Sequence, residues 1–181
     1  MLFGDPYESG NLVTLFYSGS LGGKSMLHRV IDLVEYRLLS CHEAYLNTAR
    51  KWLEMACDHE KAKEREIMLD SGAFSAWSKG SEVDLDDLLD IYSDLVRRYS
   101  DKFKAMWLIN LDKIPGERGR SGTKEEIAEA IKVSDRNFNI LKHHFKQDNV
   151  AVIPVFHQDD EADPERLMVV HEQSEYICLS P

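Results

Sequence analysis

Ile67-Met68-Leu69-Asp70-Ser71-Gly72-Ala73-Phe74 is the stretch that decides the fold of this chain. Apolar residues run into a carboxylate and then into a Ser-Gly turn, which predicts a strand over residues 66–69 that places Asp70 at its carboxyl end. A helix is predicted next, because Asp84 is a favourable N-cap and residues 85–99 carry one apolar stripe. Strand, turn and helix in this order form the repeating unit of a parallel α/β sheet.

The rest of the chain continues this alternation. Further strands are predicted over residues 12–17, 37–40, 105–111, 150–156 and 176–179. Further helices are predicted over residues 25–35, 42–64, from the Thr123/Glu126 capping box to Phe145, and from Pro164 to about Gln173. We therefore predict one α/β domain over residues 1–181 with about six parallel strands. This pattern fits an open doubly wound sheet or most of a (β/α)₈ barrel.

The last predicted strand is followed directly by Ser180-Pro181. An unclosed barrel leaves two parallel strand edges unpaired. The pattern therefore favours a split or truncated domain, or an oligomer with a second copy or with another chain.

The charge of the chain limits its partners. The net charge is −10, whereas surfaces that bind a nucleic-acid backbone are normally basic. The one basic cluster consists of Lys113, Arg118, Arg120 and Lys124. We therefore expect nucleic acid to be bound only together with a partner chain or a missing C-terminal half.

Compartment and cofactors follow from composition. No run approaches the roughly 18 apolar residues of a membrane span, and no secretory leader is visible, which predicts a cytoplasmic protein without a membrane partner. Cys41, Cys57 and Cys178 are not spaced as a disulfide framework or a zinc site. The sequence therefore predicts no metal and no cofactor.

Polar side chains follow three of the predicted strands. Asp70, Asp112 and His157 each come directly after or near the end of an apolar run, and ligands of parallel α/β proteins bind at this edge of the sheet. Two carboxylates at one edge are expected to repel each other and to raise the pKa of one of them, as an acid/base group requires. The alternative for a single carboxylate is a helix cap.

The residues around Asp70 suggest what this edge binds. The small residues Gly72 and Ala73 would let a flat ligand approach the backbone, and Phe74 would stack on that ligand. A carboxylate beside an aromatic face suits the donor groups of a purine-like base. For Phe74 the alternative is an ordinary core aromatic.

A second candidate site follows the first predicted strand. Gly23, Lys24 and Ser25 resemble the end of a phosphate-binding P-loop, but Ser18 stands where that pattern requires glycine. Triphosphate binding is therefore disfavoured. A Gly-rich turn that contacts a phosphate or a sugar, or a purely structural turn, fits this spacing better.

The segment Asp70-Ser71-Gly72-Ala73-Phe74 resembles the motif of phage and bacterial proteins related to tRNA-guanine transglycosylase, which include DNA 7-deazaguanine transglycosylases. Residues 153–157 and 176–181 are similar to later barrel strands of that family, and the resemblance covers about residues 12–181. It implies a partial (β/α)₈-like barrel. It also implies the exchange of guanine for a 7-deazaguanine in nucleic acid through a covalent glycosyl-enzyme intermediate.

The resemblance also implies roles for individual residues. Asp70 falls on the acid/base aspartate, Phe74 on the base-stacking aromatic and Asp112 on the base-recognising aspartate, while Ser71 and Gly72 belong to the same base-binding motif. His157 stands where the family has a base-contacting glutamine. The family's nucleophilic aspartate and its cysteine/histidine zinc site lie beyond the segments that match.

Three functions are therefore compared. The first is a base-exchange transglycosylase whose barrel is completed by another chain or by a second copy. The second is a non-catalytic module that binds a purine or 7-deazapurine base or a nucleotide. The third is a P-loop-like nucleotide-binding protein, which the residue at position 18 disfavours.

Overall fold

The computed structural model describes residues 15–18, 31, 34–157, 168 and 178–180 of the chain. Within them, four parallel strands form one sheet in the same order as in the chain: β1 (Tyr36–Ser40), β2 (Glu66–Asp70), β3 (Ala105–Ile109) and β4 (Val150–Ile153). The helices are α1 (Glu43–Cys57), α2 (Ala73–Trp77), α3 (Leu85–Tyr99) and α4 (Lys124–His144). The predicted α/β class with parallel strands is confirmed.

Two further strands form a separate parallel pair, β5 (Val155–His157) and β6 (Cys178–Ser180). The described part of the predicted first strand also pairs in parallel with β1. There, the Tyr17 N–H donates to the Tyr36 carbonyl at 3.0 Å, and the Leu38 N–H donates to the Tyr17 carbonyl at 3.1 Å. The parallel arrangement therefore continues beyond β1, and the separate β5–β6 pair is also parallel.

One face of the sheet is packed and the other is more open. In β2, Ile67 and Leu69 are fully buried, whereas the alternate residues of the strand, which include Asp70, are only half-buried. The buried face packs against apolar side chains of the helices, among them Leu88 and Leu95 of α3. Because side chains alternate along a strand, Asp70 projects from the opposite, half-buried face.

The N-termini of two helices form as predicted, because their signals are local. The Asp84 side chain accepts hydrogen bonds from the first-turn N–H groups of Asp86 and Asp87 at 2.8 and 3.1 Å. Thr123 and Glu126 form the reciprocal capping box at the start of α4, with distances of 3.2 and 2.8 Å. Each cap satisfies backbone donors that a helix leaves unpaired.

The helix predicted over residues 42–64 is wrong in length, because α1 ends at Cys57. His59 Nδ1 accepts a hydrogen bond from the Lys61 N–H at 3.1 Å, and a 3₁₀ turn follows over Ala62–Glu64. A side chain that bonds to nearby backbone in this way competes with the helical ladder. Composition favours helix throughout this segment and does not reveal the competing contact.

The strand predicted over residues 150–156 is two strands, β4 and β5, separated by Pro154. Proline has no N–H to donate to a sheet ladder. The Pro154 carbonyl still accepts a hydrogen bond, from the Cys178 N–H at 2.8 Å. The chain therefore leaves the larger sheet at Pro154 and enters the β5–β6 pair. The strand predicted over residues 105–111 likewise ends early, at Ile109.

Several predicted elements lie wholly or partly outside the described residues. Ile31 and Met168 are helical, but most of the helices predicted over 25–35 and 164–173 is not described. Val34 and Glu35 are not helical, so the first of these helices does not extend to residue 35. In the part that is described, no helix combines the length and the apolar character needed to cross a membrane.

Candidate functional site at the carboxyl edge of the sheet

Asp70 is the last residue of β2, and two donors hold its carboxylate. The Ser40 hydroxyl donates to it from the end of β1, where the parallel register pairs Ser40 with Asp70, and the Gly72 N–H donates to it from the following turn. Burial raises the pKa of Asp70, and the nearby Asp112 carboxylate raises it further, while the two hydrogen bonds and His42 act in the opposite direction. The expected repulsion between the two carboxylates is present, but burial is the larger cause.

The segment that follows β1 wraps around Asp70. The Cys41 N–H donates to the Asp70 carbonyl at 2.8 Å, and the His42 N–H donates to Ser40 Oγ at 3.3 Å. The buried His42 also caps α1, because its Nδ1 accepts from the Ala44 N–H at 3.1 Å. Sequence reasoning missed Ser40 and His42, since only the parallel register brings residues 40–42 beside residue 70.

Gly72 is the point where two chain segments pass closest to each other. Its φ is +82°, and a Cβ placed on it would lie 2.8 Å from His42 Cβ and 2.9 Å from the His42 backbone nitrogen. The space on the Cβ side of Gly72 is therefore filled by His42, and the expected approach of a ligand to the Gly72 backbone stays a prediction. Ser71 is also buried, and its hydroxyl lies 3.4 Å from the Ala73 N–H.

Asp112 lies on a loop that α4 holds in place. The Asn137 side-chain amide donates to the Leu111 carbonyl at 2.9 Å, and the Lys113 N–H donates to Ser134 Oγ at 2.9 Å. Ser134 and Asn137 are buried polar residues in the middle of a helix. Serine and asparagine are unfavourable inside a helix, because their side chains tend to bond to the nearby backbone. Their position in the interior of the predicted helix is the sequence signal that would have identified them.

The aromatic residues of α2 lie at the same edge of the sheet. The Phe74 side chain is 66% exposed, so its interpretation as a core residue is wrong. Its ring centroid lies 5.8 Å from that of Trp77, with 35° between the planes, and the Trp77 indole N–H donates to the Gly116 carbonyl at 3.3 Å. Trp77 was missed, although the spacing of three residues after Phe74 places both on one side of a helix.

Two adjoining cavities open beside Asp112. The outer groove has a volume of about 730 Å³ and lies between α2, the β3–α4 loop and the first half of α4. The inner recess has a volume of about 90 Å³, and Asp112 and Ala73 are among its wall residues. In the described part of the chain, Asp70 and Phe74 do not line either cavity, so the edge of the sheet divides into a buried Asp70 side and an open Asp112 side.

Cys178 at the start of β6 is close to both carboxylates. Burial raises the pKa of its thiol, and the charges of Asp112 and Asp70 raise it further. The β5–β6 pair therefore approaches the same site as β2 and β3. The thiol is half-buried and remains protonated at neutral pH, which makes it a reporter of this site and not an activated nucleophile.

Comparison with known proteins gives no match: no protein-family model, no curated protein and no solved structure is similar to this chain. The chemistry of the site therefore has to be argued from its own residues.

The structure describes little of the remaining predicted site residues. His157 ends β5, but its side chain is not among the described parts. Outside the described residues lie Gly23, Lys24 and Ser25. Among the described residues, no group of three or more His, Cys, Asp or Glu side chains is arranged to hold a metal ion.

The raised pKa of Asp70 predicts a pH-dependent stability. Between the ordinary pKa of 3.8 and the higher folded value, the folded state binds more protons than the unfolded state, so stability falls as pH rises through that interval. Asp70→Asn removes the buried charge and should be more stable than the wild type at pH 7, with the difference vanishing at low pH. Each pKa unit corresponds to about 1.4 kcal/mol. Urea unfolding at roughly physiological ionic strength, repeated from about pH 3.5 to about pH 8, measures this difference.

Asp94 provides a control of opposite sign. The Arg98 and Arg97 guanidinium groups, at 2.7 and 2.8 Å, lower the pKa of Asp94. Asp94→Asn should therefore lose stability at neutral pH and approach the wild type as the pH falls. An Asp70→Asn protein that is less stable than the wild type at pH 7 would show that the ionised Asp70 is stabilised by its hydrogen bonds.

Proposed function

We propose that this edge of the sheet binds a purine-like base, guanine or a 7-deazaguanine, and that the protein takes part in nucleic-acid base modification as a transglycosylase-like protein. The observation that carries the proposal is the proximity of Asp70, the last residue of β2, to Asp112, on the loop that follows the neighbouring strand β3; Asp112 is close enough to raise the pKa of Asp70. Two carboxylates in such different surroundings have different tasks.

Asp112 is the base-recognising residue of the proposal. Asp112 borders the inner recess. Three hydrogen bonds fix its loop against α4: residues 110 and 113 donate to Ser134, and Asn137 donates to the Leu111 carbonyl. Guanine and 7-deazaguanine present adjacent N–H donors on one edge, and a carboxylate accepts two such hydrogen bonds. Adenine presents a donor beside an acceptor there, so the Asp112 carboxylate discriminates against it.

Asp70 is the proton-transferring residue of the proposal. Burial raises the pKa of Asp70, which is the direction of shift that a general acid/base carboxylate requires. A module that only binds a base has no use for this property. The buried, polarised environment of Asp70 therefore favours the transglycosylase-like function over the non-catalytic alternative.

The aromatic pair of α2 supports base binding at this edge. Trp77 lines both cavities, and the exposed Phe74 ring lies beside the Trp77 ring, with 5.8 Å between the centroids. A planar base entering there gains stacking contacts.

The strand order supports a partial (β/α)₈-like barrel of about six strands as the scaffold. Strands β1 to β4 are neighbours in chain order, whereas a doubly wound sheet reverses its order at a switch point. The β5–β6 pair follows β4 directly after Pro154, and its Cys178 lies near Asp70 and Asp112. A sheet that curves back in this way brings its last strands to the same site as its first.

Calorimetric titration with 7-deazaguanine tests the proposal. We expect the wild type to bind 7-deazaguanine and to bind adenine much more weakly. Asp112→Asn should weaken 7-deazaguanine binding roughly 10- to 100-fold, because it removes a charge-assisted hydrogen bond. Asp90→Asn, which removes an exposed carboxylate from α3, is the matched control and should bind as the wild type does.

Thiol labelling gives an independent measurement in the same samples. Saturation with 7-deazaguanine should slow the alkylation of Cys178, which lies near both carboxylates, and leave Cys57 at the far end of α1 unchanged. A wild type that does not bind 7-deazaguanine, or an Asp112→Asn variant that binds it with full affinity, would refute the proposal.

A further inference from the structure

The outer groove and the inner recess form one continuous cleft. They share wall residues from both sides, including Trp77, Glu82 and Lys113, and the recess leads to Asp112. Cavities of about 300 to 1,000 Å³ enclose ligands of drug-like size. The outer groove alone is about 730 Å³, which is more than a single planar base held at Asp112 occupies. The cleft therefore has room for a substituent attached to that base.

The charges of the cleft argue against a phosphate as that substituent. Among the described residues, its walls carry five carboxylates, from Asp112, Glu82, Glu117, Glu126 and Glu129, and three cationic groups, from Lys113, Arg118 and Arg120. Two of the cationic groups are already neutralised. Lys113 forms an ion pair with Glu82, and Arg120 forms a two-pronged ion pair with Glu126 at 2.9 Å for each contact. A phosphate would have to break one of these ion pairs or bind Arg118 among the carboxylates.

The same walls suit an uncharged polyol. Carboxylates and guanidinium groups provide acceptors and donors for hydroxyl groups. Trp77 contributes an apolar wall, and its indole N–H is held by the Gly116 carbonyl, so the ring is fixed against the β3–α4 loop. A sugar ring presents hydroxyl groups at its edge and C–H groups on its face, and it matches this combination.

We propose that the cleft binds the uncharged nucleoside part of its substrate, with the base at Asp112 and the sugar in the outer groove, and that the walls of the groove repel a phosphate group. This inference rests on the proposed base-binding function and adds the substrate class to it. It assigns the recognition of base and sugar to the described part of the chain and leaves the recognition of phosphate to other surfaces.

Titration of four probes against the wild type tests this inference: 7-deazaguanine, 7-deazaguanosine, and the 5′-monophosphate and 5′-triphosphate of that nucleoside. We expect the nucleoside to bind on the order of tenfold more tightly than the base, because the sugar adds hydrogen bonds and buried area. The monophosphate should bind roughly tenfold more weakly than the nucleoside, and the triphosphate more weakly still. The phosphate penalty should shrink as salt is added.

Variants of α4 show whether the repulsion originates in the groove. Glu129 lines the outer groove, and among the described residues its carboxylate has a long contact of 3.9 Å with the exposed Lys132. Glu129→Gln removes a charge and keeps a hydrogen-bond acceptor, so it should improve monophosphate binding severalfold relative to nucleoside binding. Glu125→Gln removes the same charge from the same helix outside the groove, and it should change neither affinity.

Each result has a separate meaning. If the base does not bind, the proposed function fails, and this inference fails with it. If the base binds but the nucleoside binds no more tightly, or if the monophosphate binds more tightly than the nucleoside, base recognition stands and the nucleoside-specific cleft is refuted.

Discussion

Gly72→Ala is expected to destabilise the protein by roughly 3 kcal/mol, because two unfavourable effects add. An alanine at φ +82° occupies a backbone conformation that L-residues disfavour, and its Cβ would lie 2.8 Å from the Cβ of His42. His42 cannot move away easily, since it is buried and caps α1 through Nδ1. Urea unfolding at pH 7 measures the loss.

Gly80 provides the matched control for this substitution. Its φ is +71°, but nothing lies within 4 Å of the position where its Cβ would be. Gly80→Ala should therefore cost only about 1 kcal/mol, from backbone strain alone. Equal losses at the two glycines would show that the contact between Gly72 and His42 does not constrain the site.

Tyr92→Phe is expected to cost about 2 kcal/mol, because it removes the single buried O–H donor that two strand-end carbonyl groups share. The Tyr92 hydroxyl lies 3.0 Å from the Leu69 carbonyl and 2.9 Å from the Ile109 carbonyl, at the carboxyl ends of β2 and β3. The residue is fully buried, so water does not replace the lost contact. The variant should also loosen the strand ends that carry Asp70 and the Asp112 loop.

Tyr99→Phe is the control on the same helix. Tyr99 packs against the core, but within the described residues its hydroxyl has no protein hydrogen bond comparable to those of Tyr92. Tyr99→Phe should lower the free energy of unfolding by no more than about 0.5 kcal/mol, as a substitution on the surface does. Amide exchange should show faster opening at the ends of β2 and β3 in Tyr92→Phe only. Similar stabilities of the two variants would contradict the role given to the Tyr92 hydroxyl.

Sequence patterns predicted the elements whose signals are local. The Asp84 cap and the Thr123/Glu126 capping box act within one turn, and both form as predicted. The strand at Ile67–Leu69 was recognisable because it is a short apolar run that ends in a turn. By contrast, the end of α1 at Cys57 depends on a contact made by His59, which composition does not show.

The candidate site was only partly predictable for the same reason. Asp70 and Asp112 were identified because the carboxyl ends of parallel strands share one edge of a sheet. The electrostatic coupling of the two residues agrees with that placement. Trp77 was overlooked, because no helix was predicted between Gly72 and Asp84, whereas Ala73–Trp77 is a short helix.

The sequence by itself determined the α/β class, the helix caps and the position of Asp70 at a strand end, because each depends on residues within one turn or one strand. The tertiary structure alone decided what surrounds Asp70. Ser40 and His42 reach it through the parallel register of β1 with β2, and Cys178 through the β5–β6 pair that begins after Pro154. These neighbours are roughly 28 to more than 100 residues away from Asp70 in the chain. Only the register of the sheet and the packing of the chain bring residues so far apart in sequence into contact.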